Sequence, residues 1–172
     1  PASEDDLLIG DHVIFWNHLA YDALTVSPMW AGPWRLENAL LVDQDDSGKN
    51  LYEGHGAPTN EQQQVVKGDK ERMLKDVAKA YDDTAEWAIA LTQRVDAGEP
   101  GAEAKLREQF PRVVRGPGGA WLIIEIDYRP QNARRPTRQY PLRKLSGVND
   151  PDLIGLRDPD DPSKMGWVKR PI

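Results

Sequence analysis

The segment from about Asp69 to Ala97 constrains this chain more than any other. Met73, Leu74, Val77, Ala80, Tyr81, Ala85, Ala88, Ile89, Leu91 and Val95 recur along it at helical spacing. That spacing gathers them on one side of an α-helix as a single wide apolar face. Asp69, after Gly68, stands where a helix is capped, and Gly98, after Arg94, where one stops. Most of the stability of such a helix comes from covering its apolar face, so the remaining chain has to supply a layer against it.

The segments that can supply it read as short strands. His12 to Trp16 is a compact apolar run, Ala120 to Tyr128 is the most strand-like stretch, and Arg112–Arg115 and Gln139–Leu145 are shorter. A second helix spans about Ala102 to Phe110 and ends at Pro111, and Gly116 to Gly119 form a turn. Ala23 to Pro33 is irregular, broken by Pro28, Gly32 and Pro33. With 172 residues, the expectation is one α+β domain over 1–145, a small antiparallel sheet packed on one long helix. Residues 146–172 hold Pro151, Pro159, Pro162 and Pro171 and are expected as an irregular Pro-rich tail, laid along the domain by Trp167.

Between Trp34 and Gly56, two apolar runs flank a polar turn from Asp43 to Asn50, the pattern of a β-hairpin. Centring the loop near Asp46 sets Leu41 opposite Leu51, Ala39 opposite Glu53 and Glu37 opposite His55. Directly opposed residues share a face with Cβ atoms about 5 Å apart. An acid–imidazole pair is therefore expected at the open end, with glycines on both sides of His55 leaving room for a substrate. A carboxylate that orients an imidazole is half of a cysteine or serine acyl-transfer triad. Trp30 and Trp34 lie beside Glu37 in the breaker-rich segment and are candidate walls of a water-excluding site.

Composition removes several alternatives. A net charge of −6 opposes nucleic-acid binding as the main function. The absence of cysteine means no disulfide framework, no thiolate metal site and no thiol nucleophile in this sequence. No apolar run approaches the roughly 20 residues of a membrane span, and no signal peptide is visible; the compartment stays open. The chain starts at Pro1, which reads as a processed or trimmed piece. His12 and His18, taken with His55 and Glu37, lack the His-x-x-x-His or His-x-His spacing of a metal site. Asp43, Asp45, Asp46 and Ser47 fail the calcium-loop template, because the twelfth position counted from Asp43 is Gly54. No metal is expected. Arg134, Arg135 and Arg138 read as a solvated basic loop.

The wording of the hairpin adds to this. Trp34, Glu37 and Asn38 form Trp-x-x-Glu-Asn, and Tyr52, Gly54, His55 and Gly56 form aromatic-x-Gly-His-Gly. Upstream, Gly10-Asp11 leads into the aromatic run His12 to Trp16 and then Asn17. Together, over about Leu7 to Gly56, these resemble the bacterial spore-coat type of protein-glutamine gamma-glutamyltransferase. The resemblance implies a compact papain-like fold with Cys, Glu and His in that chain order, and cross-linking of protein glutamines to lysine amines. It implies His55 as general base and acid, Glu37 as its orienter, Trp34 as a wall of the acyl tunnel and Asn38 as a supporting donor. It implies no cofactor, and a protein as substrate or partner.

This chain departs from the family's pattern at Arg35 and Leu36 and has no Cys. The nucleophile is therefore expected in an upstream segment or another chain, and this chain alone is expected to be inactive. Two further readings stand beside acyl transfer. One is a non-catalytic interaction module on the same scaffold; the other is a toxin or effector domain that modifies, including by deamidation, the glutamines of a host protein.

Overall fold

The computed structural model describes residues 3–25, 35–54, 65–126, 137–161, 163–166 and 168–170. Its elements, in chain order, are β1 (His12–Trp16), α1 (Tyr21–Leu24), β2 (Leu36–Gln44), β3 (Asn50–Gly54), β4 (Val66–Asp69), α2 (Lys70–Asp96), α3 (Ala102–Gln109), β5 (Val113–Arg115), β6 (Trp121–Ile124), β7 (Gln139–Pro141) and β8 (Val168–Lys169). The class is α+β, with small antiparallel sheets and one long helix. The chain divides into two compact units, Pro1–Leu19 with Trp34–Tyr81 and Leu145–Ile172, and Ala20–Pro33 with Asp82–Lys144.

In the first unit five strands form a sheet in the order β4-β3-β2-β1-β8, with every pair antiparallel. Val13 and Phe15 of β1, Ala39 and Leu41 of β2 and Tyr52 of β3 are buried and share one face by strand alternation. Phe15 meets Tyr52 edge to face at a centroid distance of 5.1 Å. The stretch expected as an irregular tail belongs to this unit. It supplies β8 beside β1, and Gly155 bridges Trp16 through two backbone hydrogen bonds of 2.8 Å.

The β2–β3 hairpin forms, with a register that differs from the expected one. Leu41 faces Tyr52 rather than Leu51, and Ala39 faces Gly54 rather than Glu53. Two local features set this. The ladder continues out to Gln44 opposite Asn50, which leaves a loop centred on Ser47 rather than Asp46. Asp45 builds that loop: its Oδ1 accepts from Ser47 N, Ser47 Oγ and Lys49 N at 2.6–2.9 Å. A bulge between Leu41 and Asp43 then shifts the pairing by one residue.

The long helix runs Lys70–Asp96, within one residue of the expected span at each end. Asp69 caps it, Oδ1 accepting from Arg72 N at 2.8 Å. At the other end Gly98 takes φ 71°, Gly98 N donates to the Val95 carbonyl and Glu99 N to the Arg94 carbonyl. These are the two bonds of a Schellman stop, which glycine alone enters without strain. Met73, Val77, Tyr81, Ala88 and Leu91, the expected inward positions, are buried.

In the second unit α3 and a three-stranded antiparallel sheet, β5-β6-β7, accompany residues Asp82–Asp96 of α2. Leu106, Phe110, Val113 and Ile123 are buried, and Trp87 packs edge to face on Phe110. The strand expected from Ala120 to Tyr128 is Trp121–Ile124. At Glu125 the backbone still donates to the Arg138 carbonyl at 3.1 Å, while the Arg138 N–H turns to the Glu125 side-chain Oε2, also at 3.1 Å. The expected Gln139–Leu145 strand stops at Pro141, and one further bond, from Leu142 N to the Trp121 carbonyl at 2.9 Å, closes its pairing with β6.

Candidate functional site

Glu37 lies on β2 directly opposite Phe15 of β1, on the same face as Ala39 and Leu41. That placement puts a carboxylate in the interior, where it is 3 % exposed. Its position is fixed against Gly54. A Cβ built on Gly54 stands 2.4 Å from Glu37 Oε1 and 3.3 Å from its Cδ. The glycine before His55 is thus needed for space: the Glu37 carboxylate occupies the volume any larger side chain fills. Burying a carboxylate in an apolar face costs several kcal/mol unless it is partnered, and interior ionisable groups of this kind concentrate at functional sites.

Asn17 follows directly on β1, two residues after Phe15, with its N–H donating to the Arg35 carbonyl at 2.9 Å. It is diagonal to Glu37 across the sheet. Its Nδ2 donates to the Val77 carbonyl of α2 at 2.7 Å and its Oδ1 accepts from His18 N at 2.7 Å. The amide thus binds the end of β1 to the middle of the helix. His18 is buried; its ring stacks on Tyr81 at 4.5 Å, and Nε2 lies 3.9 Å from Asp152 Oδ2. Sequence reasoning missed the His18–Tyr81–Asp152 grouping because its members lie far apart in the chain and form no local pattern.

Asn38, the proposed supporting donor, alternates to the opposite face from Glu37 and is exposed. His55, Trp30 and Trp34 lie outside the described residues, so the expected facing of Glu37 and His55 does too. Tyr52, the aromatic of the Gly-His-Gly wording, is a core residue. Its hydroxyl donates to Glu4 Oε1 at 2.8 Å, and burial, reinforced by that bond, pushes the phenol well above its usual range. It stays neutral and is no candidate base. The Gly10-Asp11 turn has Gly10 at φ 94° and a buried Asp11. The Asp11 carboxylate accepts from Leu8 N and from Nε and Nη2 of Arg170, each at 2.9 Å. Its role is to clasp the C-terminal strand to the start of β1. Among the described residues no three His, Asp or Glu side chains converge as a metal site, and no helix is long and apolar enough to cross a membrane.

Comparison of the chain with protein-family models, with curated proteins and with solved structures found no match.

Proposed function

We propose that Glu37 and His55 are the acid–imidazole half of an acyl-transfer site in a papain-like, transglutaminase-like domain acting on glutamine side chains of proteins. The observation that supports this reading is the buried Glu37 carboxylate resting on Gly54, the residue immediately before His55 in sequence. In this reading Glu37 orients the imidazole and stabilises its charged form, as the acid of a triad does. Trp34 and Trp30 wall the acyl site, and Asn38 on the opposite face of β2 has no direct part.

The chemistry requires a thiolate, and the 172 residues hold no cysteine. In this proposal an upstream segment or another chain supplies it. His55 takes the thiol proton and the thiolate attacks the glutamine side-chain carbonyl. The C–N bond breaks as His55 returns the proton to departing ammonia, which leaves a thioester. A lysine amine or water then attacks the thioester, losing its proton to His55, and releases the thiol. No cofactor enters. Without a nucleophile, general-base activation of water contributes only about 10²–10⁴-fold, too little for an unactivated amide.

One observation favours a second reading, a non-catalytic interaction module. The Glu37–Gly54 contact is also a packing contact that serves the fold without chemistry. The experiment that separates the two measures ammonia release from a glutamine-bearing protein by the 172-residue chain and by the full coding sequence. Acyl transfer predicts release only where a Cys is supplied, and its loss in His55→Ala with folding intact. A folded, Cys-containing full chain that releases no ammonia gives the case to the interaction module.

A further inference from the structure

The three-stranded sheet of the second unit ends on β5, and among the described residues no strand pairs with its outer edge. Gly116 N donates to the Ala120 carbonyl and Ile124 N to the Arg112 carbonyl. That phase turns the backbone groups of Val114 toward β6 and those of Val113 and Arg115 away from it. The Val113 N–H is taken by the Phe110 carbonyl at 2.9 Å. The Val113 carbonyl and both backbone groups of Arg115 have no partner among the described residues.

Beside this edge lies a groove of about 580 Å³, lined by Leu106 and Arg107 of α3, by Val113, Val114 and Arg115, and by Trp121. Consecutive residues of β5 line it, so it follows the strand edge rather than one face of the sheet. Leu106 and Val113 are buried apolar residues at its base, and Val114 is 37 % exposed. The Trp121 wall is held in place: its Nε1 donates to Asp96 Oδ2 at 3.1 Å, and the Arg115 guanidinium, paired with Asp96, sits 4.4 Å from the ring centre. Arg107 pairs with Glu103. Arg112, next to the edge, is exposed and its side chain has no partner among the described residues. Three arginines against Glu103 and Asp96 make this rim net positive, on a chain whose net charge is −6.

We infer that this groove binds an extended, acidic segment of a partner protein as an added strand along β5. One residue of an antiparallel peptide exchanges both backbone hydrogen bonds with Arg115, and the residue two further on donates to the Val113 carbonyl. Apolar side chains at alternate positions then reach the groove's apolar base, and acidic ones between them meet the arginine rim. A helix cannot use the open edge groups, because its own backbone groups are already paired. This inference does not depend on the acyl-transfer reading.

The test is a titration of the ¹⁵N-labelled 172-residue chain with a hexapeptide alternating valine and glutamate. Expected is slowed hydrogen exchange at the Arg115 amide. Binding should fall by about tenfold or more when the peptide's edge-facing nitrogens are methylated. It should fall by about tenfold when lysine replaces glutamate in the peptide, or in the Arg112→Glu chain. An Arg115 amide unmoved at millimolar peptide overturns the inference. So does equal binding of the methylated or the lysine peptide, or protection of that amide by raising the protein concentration alone, which assigns the edge to a second copy.

Discussion

The Glu37 carboxylate and the backbone of Gly54 exclude one another's substitution: a methyl on Gly54 lies 2.4 Å from Oε1 and 3.2 Å from the Asn38 carbonyl oxygen. Gly54→Ala is expected to destabilise the chain by about 1–3 kcal/mol, because an inserted carbon in a packed interior forces its neighbours to move. In the Glu37→Ala background only the milder approach to the Asn38 oxygen remains, so the cost should shrink, with a coupling of about 0.5–3 kcal/mol. Urea unfolding of the four variants measures this. Equal costs in both backgrounds would show that the two residues do not touch.

That contact marks where sequence reading stopped. The helix was legible because its signals are local: an apolar period, an Asp cap and a glycine stop, all of which the structure uses. The hairpin was legible as an element but not in register. The bulge between Leu41 and Asp43 is a tertiary choice with no composition signal, and one residue of slip changes every facing pair. The attachment of the last residues was not legible, because it rests on a contact made across the whole chain, Arg170 with Asp11. The burial of Glu37 and His18 was not legible either, since both are common on surfaces and only the assembled sheet encloses them.

The Asp11–Arg170 clasp carries a pH signature. The hydrogen bond from Arg170 is the largest influence on Asp11; burial opposes it, the Leu8 N–H adds to it, and the net effect holds the carboxyl below its ordinary 3.8. A folded value below the unfolded one means the clasp stabilises fully above about pH 4 and is lost as pH falls through the lowered value. Arg170→Ala should therefore melt lower than the parent at pH 7, with the gap narrowing toward pH 2. Thermal unfolding across that range decides it. A gap that does not change with pH would show that Arg170 acts through packing alone.

The buried face of α2 sets a second stability test. Val77 and Leu91 are 0 % and 2 % exposed. Val77→Asp or Leu91→Asp places an unpaired carboxylate in the interior, which costs on the order of 3–5 kcal/mol, a large share of a domain's usual stability. Ala90→Asp on the exposed side of the same helix should cost less than about 1 kcal/mol. Circular-dichroism melts that fail to separate the two classes would contradict the placement of the helix face.

The last prediction divides the two readings of Glu37 itself. Glutamine has the same shape as glutamate, so Glu37→Gln keeps the contact with Gly54 while it removes the charge and exchanges one acceptor oxygen for an NH2 donor. If Glu37 is packing alone, Glu37→Gln should match the parent in every property. If it orients His55 as the acid of a triad, the uncharged amide favours the wrong tautomer and cannot stabilise the imidazolium. Ammonia release by the Cys-bearing full chain should then fall by about 10²–10⁴-fold while the thermal midpoint moves little. Glu37→Ala should lose both, since it empties the volume over Gly54 as well as the charge. Parallel measurement of melting and ammonia release on the two variants makes the distinction. Full activity in a folded Glu37→Gln chain would remove Glu37 from the chemistry and leave it as the side chain that fills the space above Gly54.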